Sequence, residues 1–274
     1  MITFNRIGYM GRLGNQMFQY ASLMGASAKT GYSFGIPIKN NSKINKEGLY
    51  DPYINEWIEY KLDLEDGFNI SVLDSSDVSN SIIYNEMGHE FNQSLFNIKD
   101  GVDLNGYFQT EKYFKHIEND IRKEFTFKDE IIKESTNLKG SYENIVSIHF
   151  RRGDFLGYSN NFPPLELEYY QTAINYFSDK DYTFYIFSDD IDWCKTIFGN
   201  DANIIYIESN NQFIDMCLMS MCDHNIIANS TYSWWGAWLN KNPNKRVIAP
   251  TNWFGPGLSH VNVSDIIPEN WIKI

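Results

Sequence analysis

The residues best suited to chemistry are two adjacent arginines, Arg151 and Arg152, placed after an apolar run ending His149-Phe150 and before Gly153-Asp154. A guanidinium buried without an anion is strongly unfavourable. The pair therefore needs a carboxylate of its own chain or an anionic ligand. The planar fork of arginine matches phosphate oxygens, and its charge offsets negative charge building on a departing diphosphate. A diphosphate clamp fits these residues; so does an Arg–Asp surface pair closing a tight turn at Gly153.

Four other segments have chemical potential. In Asn229-Ser230-Thr231-Tyr232-Ser233-Trp234-Trp235-Gly236-Ala237-Trp238-Leu239, the hydroxyl cluster of Ser230, Thr231 and Tyr232 stands where a helix should begin. A hydroxyl there caps the helix, and the remaining N–H groups hold an anion or simply water. The tryptophans suit one packed helix face. Asp215 offers a carboxylate that accepts two parallel hydrogen bonds, the pattern presented by the edge of guanine and not of adenine; its plainer reading is a solvated helix carboxylate. Ser188-Asp189-Asp190 invites a metal, but acids at a helix start are favoured as caps and by the helix dipole. Gly11-Arg12-Leu13-Gly14-Asn15-Gln16 resembles a nucleotide loop without matching the dinucleotide or Walker patterns; it also suits an ordinary strand-to-helix turn.

These segments need positioning elements. In the second half, apolar extended runs at Ile145–Phe150, Phe184–Phe187, Ile204–Ile207, Asn225–Ala228 and Arg246–Ala249 alternate with helical patterns at Leu165–Phe177, Asp190–Phe198, Gln212–Met221 and Ser233–Asn240. That alternation predicts parallel strands joined by right-handed crossovers in a doubly wound sheet. Ligands of such sheets bind beyond the carboxyl ends of the strands, where the residues singled out above lie.

The first half predicts a strand at Ile2–Ile7, a helix over Asn15–Lys29, strands at Ser33–Ile38, Ser81–Asn85 and Val102–Phe108, and a helix over Thr110–Phe125. Lys39–Asp51 reads as a polar loop. Leu138–Glu143 reads as a linker, dividing the chain into 1–139 and 140–274. The predicted fold class is α/β, with two Rossmann-like halves and a cleft between them.

The 274 residues carry a net charge of -12, which argues against a general nucleic-acid surface. Cys194, Cys217 and Cys222 are odd in number and fit no zinc spacing, so they read as reduced core thiols. No run of about 18 apolar residues occurs, and Met1–Arg6 does not resemble a signal peptide. The expected location is the cytoplasm, with at most peripheral contact at the inner membrane.

The ordered set GRLGNQMFQYA at Gly11–Ala21, HFRRGD at His149–Asp154, FSDD at Phe187–Asp190 and NSTYSWWGAWL at Asn229–Leu239 resembles glycosyltransferase family 11, the bacterial and animal alpha-1,2-fucosyltransferases. Pro164–Tyr170 and Ala249–Trp253 fit the same pattern, while Lys39–Asp100 carries little of it. The resemblance implies a GT-B-like fold, GDP-fucose as donor, no metal and no other cofactor, inversion at the anomeric carbon, and a galactose-terminated glycan such as an O-antigen chain as acceptor.

The likeness implies roles for individual residues. Arg151 or Arg152 would hold the diphosphate and His149 would lie near the nucleoside. Asp215 would read guanine, with Ser188 and Asp189 also lining the donor site. Ser230, Thr231 and Tyr232 would contact phosphate, and Asn15 with Gln16 would reach the donor from the N-terminal half. Asp154 is the candidate base, with Glu166 or His149 as substitutes. A GDP-colitose-using relative and a non-catalytic carbohydrate- or nucleotide-binding protein are the competing readings; the intact Arg151-Arg152 pair counts against the latter. A dehydrogenase would need a glycine fingerprint that the chain lacks.

Overall fold

A computed structural model of the protein describes residues 1–37, 49–51, 56–58, 60–71 and 73–274. The chain forms two compact units, Met1–Thr126 with Asn262–Pro268, and Phe127–Val261 with Glu269–Ile274. The expected boundary at 139/140 therefore moves to 126/127. The helix before it belongs to the second unit: Ser135 Oγ donates to the carbonyl of Ile214 (3.1 Å) and Tyr185 Oη to that of Lys139 (2.6 Å). Residues 262–268 return to the first unit, where Asp265 accepts from the Phe91 N–H (2.8 Å) and Lys112 Nζ (2.6 Å).

The first unit contains β1 (Ile2–Thr3), α1 (Leu13–Thr30), β2 (Phe34–Ile36), β3 (Leu49–Asp51), β4 (Glu56–Ile58), α2 (Leu64–Gly67), β5 (Leu73–Asp74), β6 (Ile82–Asn85), β7 (Val102–Asn105) and α3 (Glu118–Glu124). Five of its strands form a parallel sheet in the order β5-β2-β1-β7-β6, and β3 with β4 makes a separate antiparallel pair. The polar loop expected from Lys39 lies outside the described residues up to 48, and its last residues, Leu49–Asp51, are strand.

The N-terminal strand is shorter than its apolar pattern suggests. The Asn5 N–H donates to the Asp103 side-chain carboxylate (2.9 Å) instead of a backbone carbonyl of a neighbouring strand, and Gly8 and Gly11 take φ of +89° and +79°, which only glycine adopts freely.

The helix expected over Thr110–Phe125 is also broken. Short 3₁₀ turns at Glu111–Tyr113 and Lys115–Ile117 precede α3. Phe114 (φ −134°, ψ 4°) and Ile117 (φ −124°, ψ 31°) leave the helical region, and Tyr113 and Phe114 are both buried. The backbone there also runs close to α1: a methyl group on Gly25 would stand 2.0 Å from the Tyr113 carbonyl oxygen.

The second unit contains α4 (Asp129–Lys139), β8 (Ile145–Phe150), α5 (Leu167–Asn175), β9 (Thr183–Ser188), α6 (Ile191–Phe198), β10 (Ile204–Tyr206), α7 (Gln212–Met221), β11 (His224–Ile226), α8 (Thr231–Leu239), β12 (Val247–Ala249) and β13 (Ile272–Lys273). The strands are all parallel, in the order β10-β9-β8-β11-β12-β13. Numbered within the unit this is 3-2-1-4-5-6, the doubly wound dinucleotide-binding order, whose ligand crevice opens where the order reverses. Here the reversal falls between β8 and β11. Every residue of β8 is buried, as expected of a central parallel strand covered on both faces. Apolar residues from α5, α6 and the strands pack on one side, and Leu218, Met219 and Cys222 on the other.

A polar network ties β8 to β11. Buried Asn225 donates through Nδ2 to Ser147 Oγ (2.7 Å) and the Met219 carbonyl (2.9 Å), and its Oδ1 accepts from Asn240 (2.9 Å). Loss of this amide leaves several buried polar groups short of a partner. Asn225→Ala is expected to lower stability by about 3 kcal/mol, measured as a fall in the urea unfolding midpoint.

Candidate functional site

The reversal between β8 and β11 brings together the two segments that follow them, Arg151–Asp154 and Ile227–Tyr232. The arginines do not turn out into water: their side chains are 17% and 20% exposed. Each meets carboxylates, and the two meet them differently. Arg151 has both terminal amino groups engaged, Nη1 by Asp189 (2.9 Å) and Nη2 by Asp154 (2.5 Å). Arg152 binds Asp190 only through Nε (3.0 Å), while its backbone N–H donates to Asp189 (2.8 Å). Among the described residues, Nη1 and Nη2 of Arg152 have no hydrogen-bond partner. Arg152 thus presents the fork that chelates two oxygens of an anion, whereas Arg151 is occupied.

Asp189 and Asp190 hold this arrangement. Asp190 also caps α6 by accepting the Trp193 N–H (3.3 Å), and Ser188 Oγ accepts the Asp190 N–H (2.9 Å). The expected cap at Asp190 is present. Ser188 and Asp189, expected to line the donor site, are engaged within the turn. Among the described residues no cluster of three or more His, Cys, Asp or Glu is arranged to hold a metal ion.

Beyond β11, Ser230 caps α8, its hydroxyl accepting the Tyr232 N–H at 3.3 Å. Asn229 staples the surrounding loops, donating to the carbonyls of Pro163 (3.0 Å) and Trp253 (3.1 Å). Thr231 occupies the first turn of α8, half-buried.

Tyr232 departs from expectation. Its hydroxyl donates to the Gln212 carbonyl (2.5 Å) at the start of α7, so it braces α8 against the helix carrying Asp215 and is not free to contact a phosphate. Its ring lies 5.5 Å from that of His149. His149 is buried, and its pKa is driven down by burial and then by the Arg151 charge. Its imidazole is neutral at physiological pH, and its Nδ1 has no hydrogen-bond partner among the described residues.

Asp215 is no solvated surface acid. It stands in the first turn of α7 after the Asn211 cap, accepts from Ser209 Oγ (2.6 Å), and has its pKa pushed up to about 6 by burial, against the pull of that hydroxyl. Glu166, considered above as a substitute base, precedes α5 and lines a hollow of 330 Å³ with Tyr169, Pro250 and Ile274.

In the first unit, the loop after β1 leads into α1. Gln16 was expected to touch the donor, but its amide is enclosed: Nε2 donates to the Lys61 carbonyl (2.7 Å) and Oε1 accepts the Asp63 N–H (2.8 Å). It braces residues 61–63 instead. Asn15 remains half-buried and accepts from Gln109 Nε2 (3.0 Å). Gln109 lies just beyond β7, the neighbour of β1 in this sheet, so the same crossover geometry gathers both amides.

Gln109, Asn229 and Trp193 are site-building residues that the motifs alone did not single out. Gln109 carried a signal, a polar residue directly after the expected strand Val102–Phe108. Trp193 carried none, since a tryptophan one turn into a helix reads as packing.

A family model for glycosyl transferase family 11 matches residues 68–274. The chain belongs to that family. An alpha-1,2-colitosyltransferase of Escherichia coli is 41% identical over 143 residues, covering 48% of each chain. The O-antigen biosynthesis glycosyltransferase WbnK of Escherichia coli is 41% identical over 140 residues, 48% of this chain and 45% of its own. The match therefore spans about half the length of these curated relatives. A Bos taurus galactoside 2-alpha-L-fucosyltransferase, SEC1, is 28% identical over 106 residues, 34% of this chain and 28% of its own.

Among solved structures, fucosyltransferase NodZ from Bradyrhizobium has a TM-score of 0.52 at 12% identity, covering 86% of this chain and 91% of its own. POFUT1 in complex with GDP has a TM-score of 0.53 at 11% identity, covering 90% and 97%. The shared property is the fold, α/β and GT-B-like. Among the described residues no helix of this family member is long and apolar enough to cross a membrane.

The half-buried Asp215 makes stability depend on pH. Its carboxyl titrates near 3.8 when unfolded and about 6 when folded. Below pH ~4 both states are protonated and the protein keeps its full stability; between about 4 and 6 stability falls; above that the penalty is complete, about 3 kcal/mol. Asp215→Asn is expected to raise stability at pH ~7.5 by about 1–3 kcal/mol, the gain vanishing below pH ~4 when urea midpoints are compared.

Proposed function

We propose that the protein is an inverting, metal-independent glycosyltransferase that moves L-fucose from GDP-fucose to the 2-OH of a galactoside in an oligosaccharide or O-antigen glycan. The observation that carries this reading is the Arg152 fork. Among the described residues, two guanidinium amino groups of Arg152 without a hydrogen-bond partner follow directly on β8, one of the two strands between which the sheet order reverses. A diphosphate supplies the oxygens such a fork chelates, and the α8 N–H groups add partial positive charge. POFUT1 has been solved with GDP and NodZ soaked with GDP-fucose, and both share this fold. Independence from a metal is supported by Asp189 and Asp190, whose oxygens already serve guanidinium and backbone N–H groups.

The reaction is a single displacement. The acceptor hydroxyl attacks the anomeric carbon from the face opposite GDP, and the bond from that carbon to the phosphate oxygen breaks. The electron pair leaves with GDP, where Arg152 and the α8 N–H groups stabilise it. Asp154 accepts the hydroxyl proton. Asp215 reads guanine through N1–H and the exocyclic amino group, which requires its ionised form. His149 lies near the nucleoside, Ser230 and Thr231 lie near phosphate, and Asn15 is a further donor contact.

A second reading keeps this chemistry and replaces fucose by colitose, its deoxy relative. It is favoured by the 41% identity to an alpha-1,2-colitosyltransferase. Donor turnover with EDTA present, using GDP-fucose and GDP-colitose with lactose and N-acetyllactosamine, separates the two, and NMR of the product reads the linkage. Transfer only from a non-GDP donor would end both readings.

Arg152→Ala is expected to lower kcat by about 10²–10³-fold in the same assay; an unchanged kcat removes the leaving-group role. Asp154 combines two tasks, because as proton acceptor it also neutralises Arg151. Asp154→Asn is expected to lower kcat about 10²-fold while tightening GDP in calorimetry, since removing one negative charge beside the arginines lessens repulsion of the diphosphate. Weaker GDP binding in that variant would overturn the assignment.

A further inference from the structure

Arginine carries a long, mobile side chain, and a fork aimed at one place needs its rotation removed. Around Arg152 two contacts do so. The guanidinium carbon lies 3.7 Å from the centre of the Trp193 ring, close enough for the cation to rest on the indole face. Nε is held by Asp190 Oδ2 at 3.0 Å. The other oxygen of Asp190 accepts the Trp193 backbone N–H at 3.3 Å, so one carboxylate fixes both the arginine and the first turn carrying its platform. Behind the indole, Phe150 packs edge-on at 6.0 Å.

An indole under the guanidinium plane and a carboxylate on its Nε edge leave only the Nη edge for a ligand. We propose that Trp193 is a positioning residue that, with Asp190, seats Arg152 so that its Nη edge meets the donor diphosphate. This rests on Arg152 being the diphosphate ligand. In this role Trp193 acts through Arg152 and not on base or sugar, so its loss should weaken ligands only in proportion to the phosphate they carry.

The test compares GDP with guanosine, which lacks the diphosphate, by calorimetry on the full chain, with thermal unfolding as a check on folding. Trp193→Leu should weaken GDP about tenfold and leave guanosine within about twofold. Trp193→Phe, which retains a smaller aromatic face, should weaken GDP by about twofold to threefold, less than the tenfold loss of Trp193→Leu. Trp193→Leu in an Arg152→Ala background should cost GDP nothing further, because the group being seated is gone.

An equal loss of GDP and guanosine in Trp193→Leu would make Trp193 a packing residue and overturn the proposal. So would an unchanged GDP-to-guanosine ratio, provided Arg152→Ala lowers that ratio. If Arg152→Ala leaves the ratio unchanged, the diphosphate role of Arg152 fails first. Should Trp193→Leu not fold, Trp193→Phe carries the test, with a GDP drop of about twofold to threefold expected and no change overturning it.

Discussion

The structure of the second unit depends on how two guanidinium charges are kept at the end of a fully buried strand. β8 is covered on both faces, so its first residues beyond the sheet emerge into a partly desolvated crevice. Positive charge is tolerable there only with anions close by. Asp154, Asp189 and Asp190 supply them. Three carboxylates against two guanidiniums more than balance the charge, so the site is not a simple positive sink. Its capacity for an anion comes from geometry: Arg151 is bound at both amino groups, whereas Arg152 is bound at Nε alone.

The remaining elements hold that geometry in place. The order 3-2-1-4-5-6 opens the sheet between β8 and β11. The Asn225–Ser147–Asn240 network ties these strands together. Tyr232 joins the starts of α7 and α8 through the Gln212 carbonyl, and so fixes Asp215 relative to Ser230. Asp215 is kept half-buried at an energetic cost near neutral pH, a pattern common where a polar group is maintained for a ligand and not for the fold.

Much of this was legible from residue order. The central strands of the second unit, the helix Gln212–Met221 and the cap at Asp190 follow from apolar runs, helical spacing and capping chemistry. The first unit was less legible for identifiable reasons. Its strands are only two to four residues long, too short for a period to declare itself. The helix read over Thr110–Phe125 breaks at Phe114 and Ile117, where the backbone leaves the helical region. The boundary at 126/127 was hidden because α4 joins the second unit through packing on α7, and Gly140 marks a turn within that unit, not a link between units.

Residue order alone carried the parallel α/β class and, through the likeness of its ordered motifs, the family, since strand–helix alternation and motif order are local properties of the chain. Only the tertiary structure decided which arginine keeps an open fork, that Gln16 and Tyr232 are braces, that Asp215 is half-buried and that Trp193 lies under Arg152. Those facts depend on which partners reach a side chain first. Partners separated by tens of residues meet only when the sheet closes, so spacing along the chain carries no record of them.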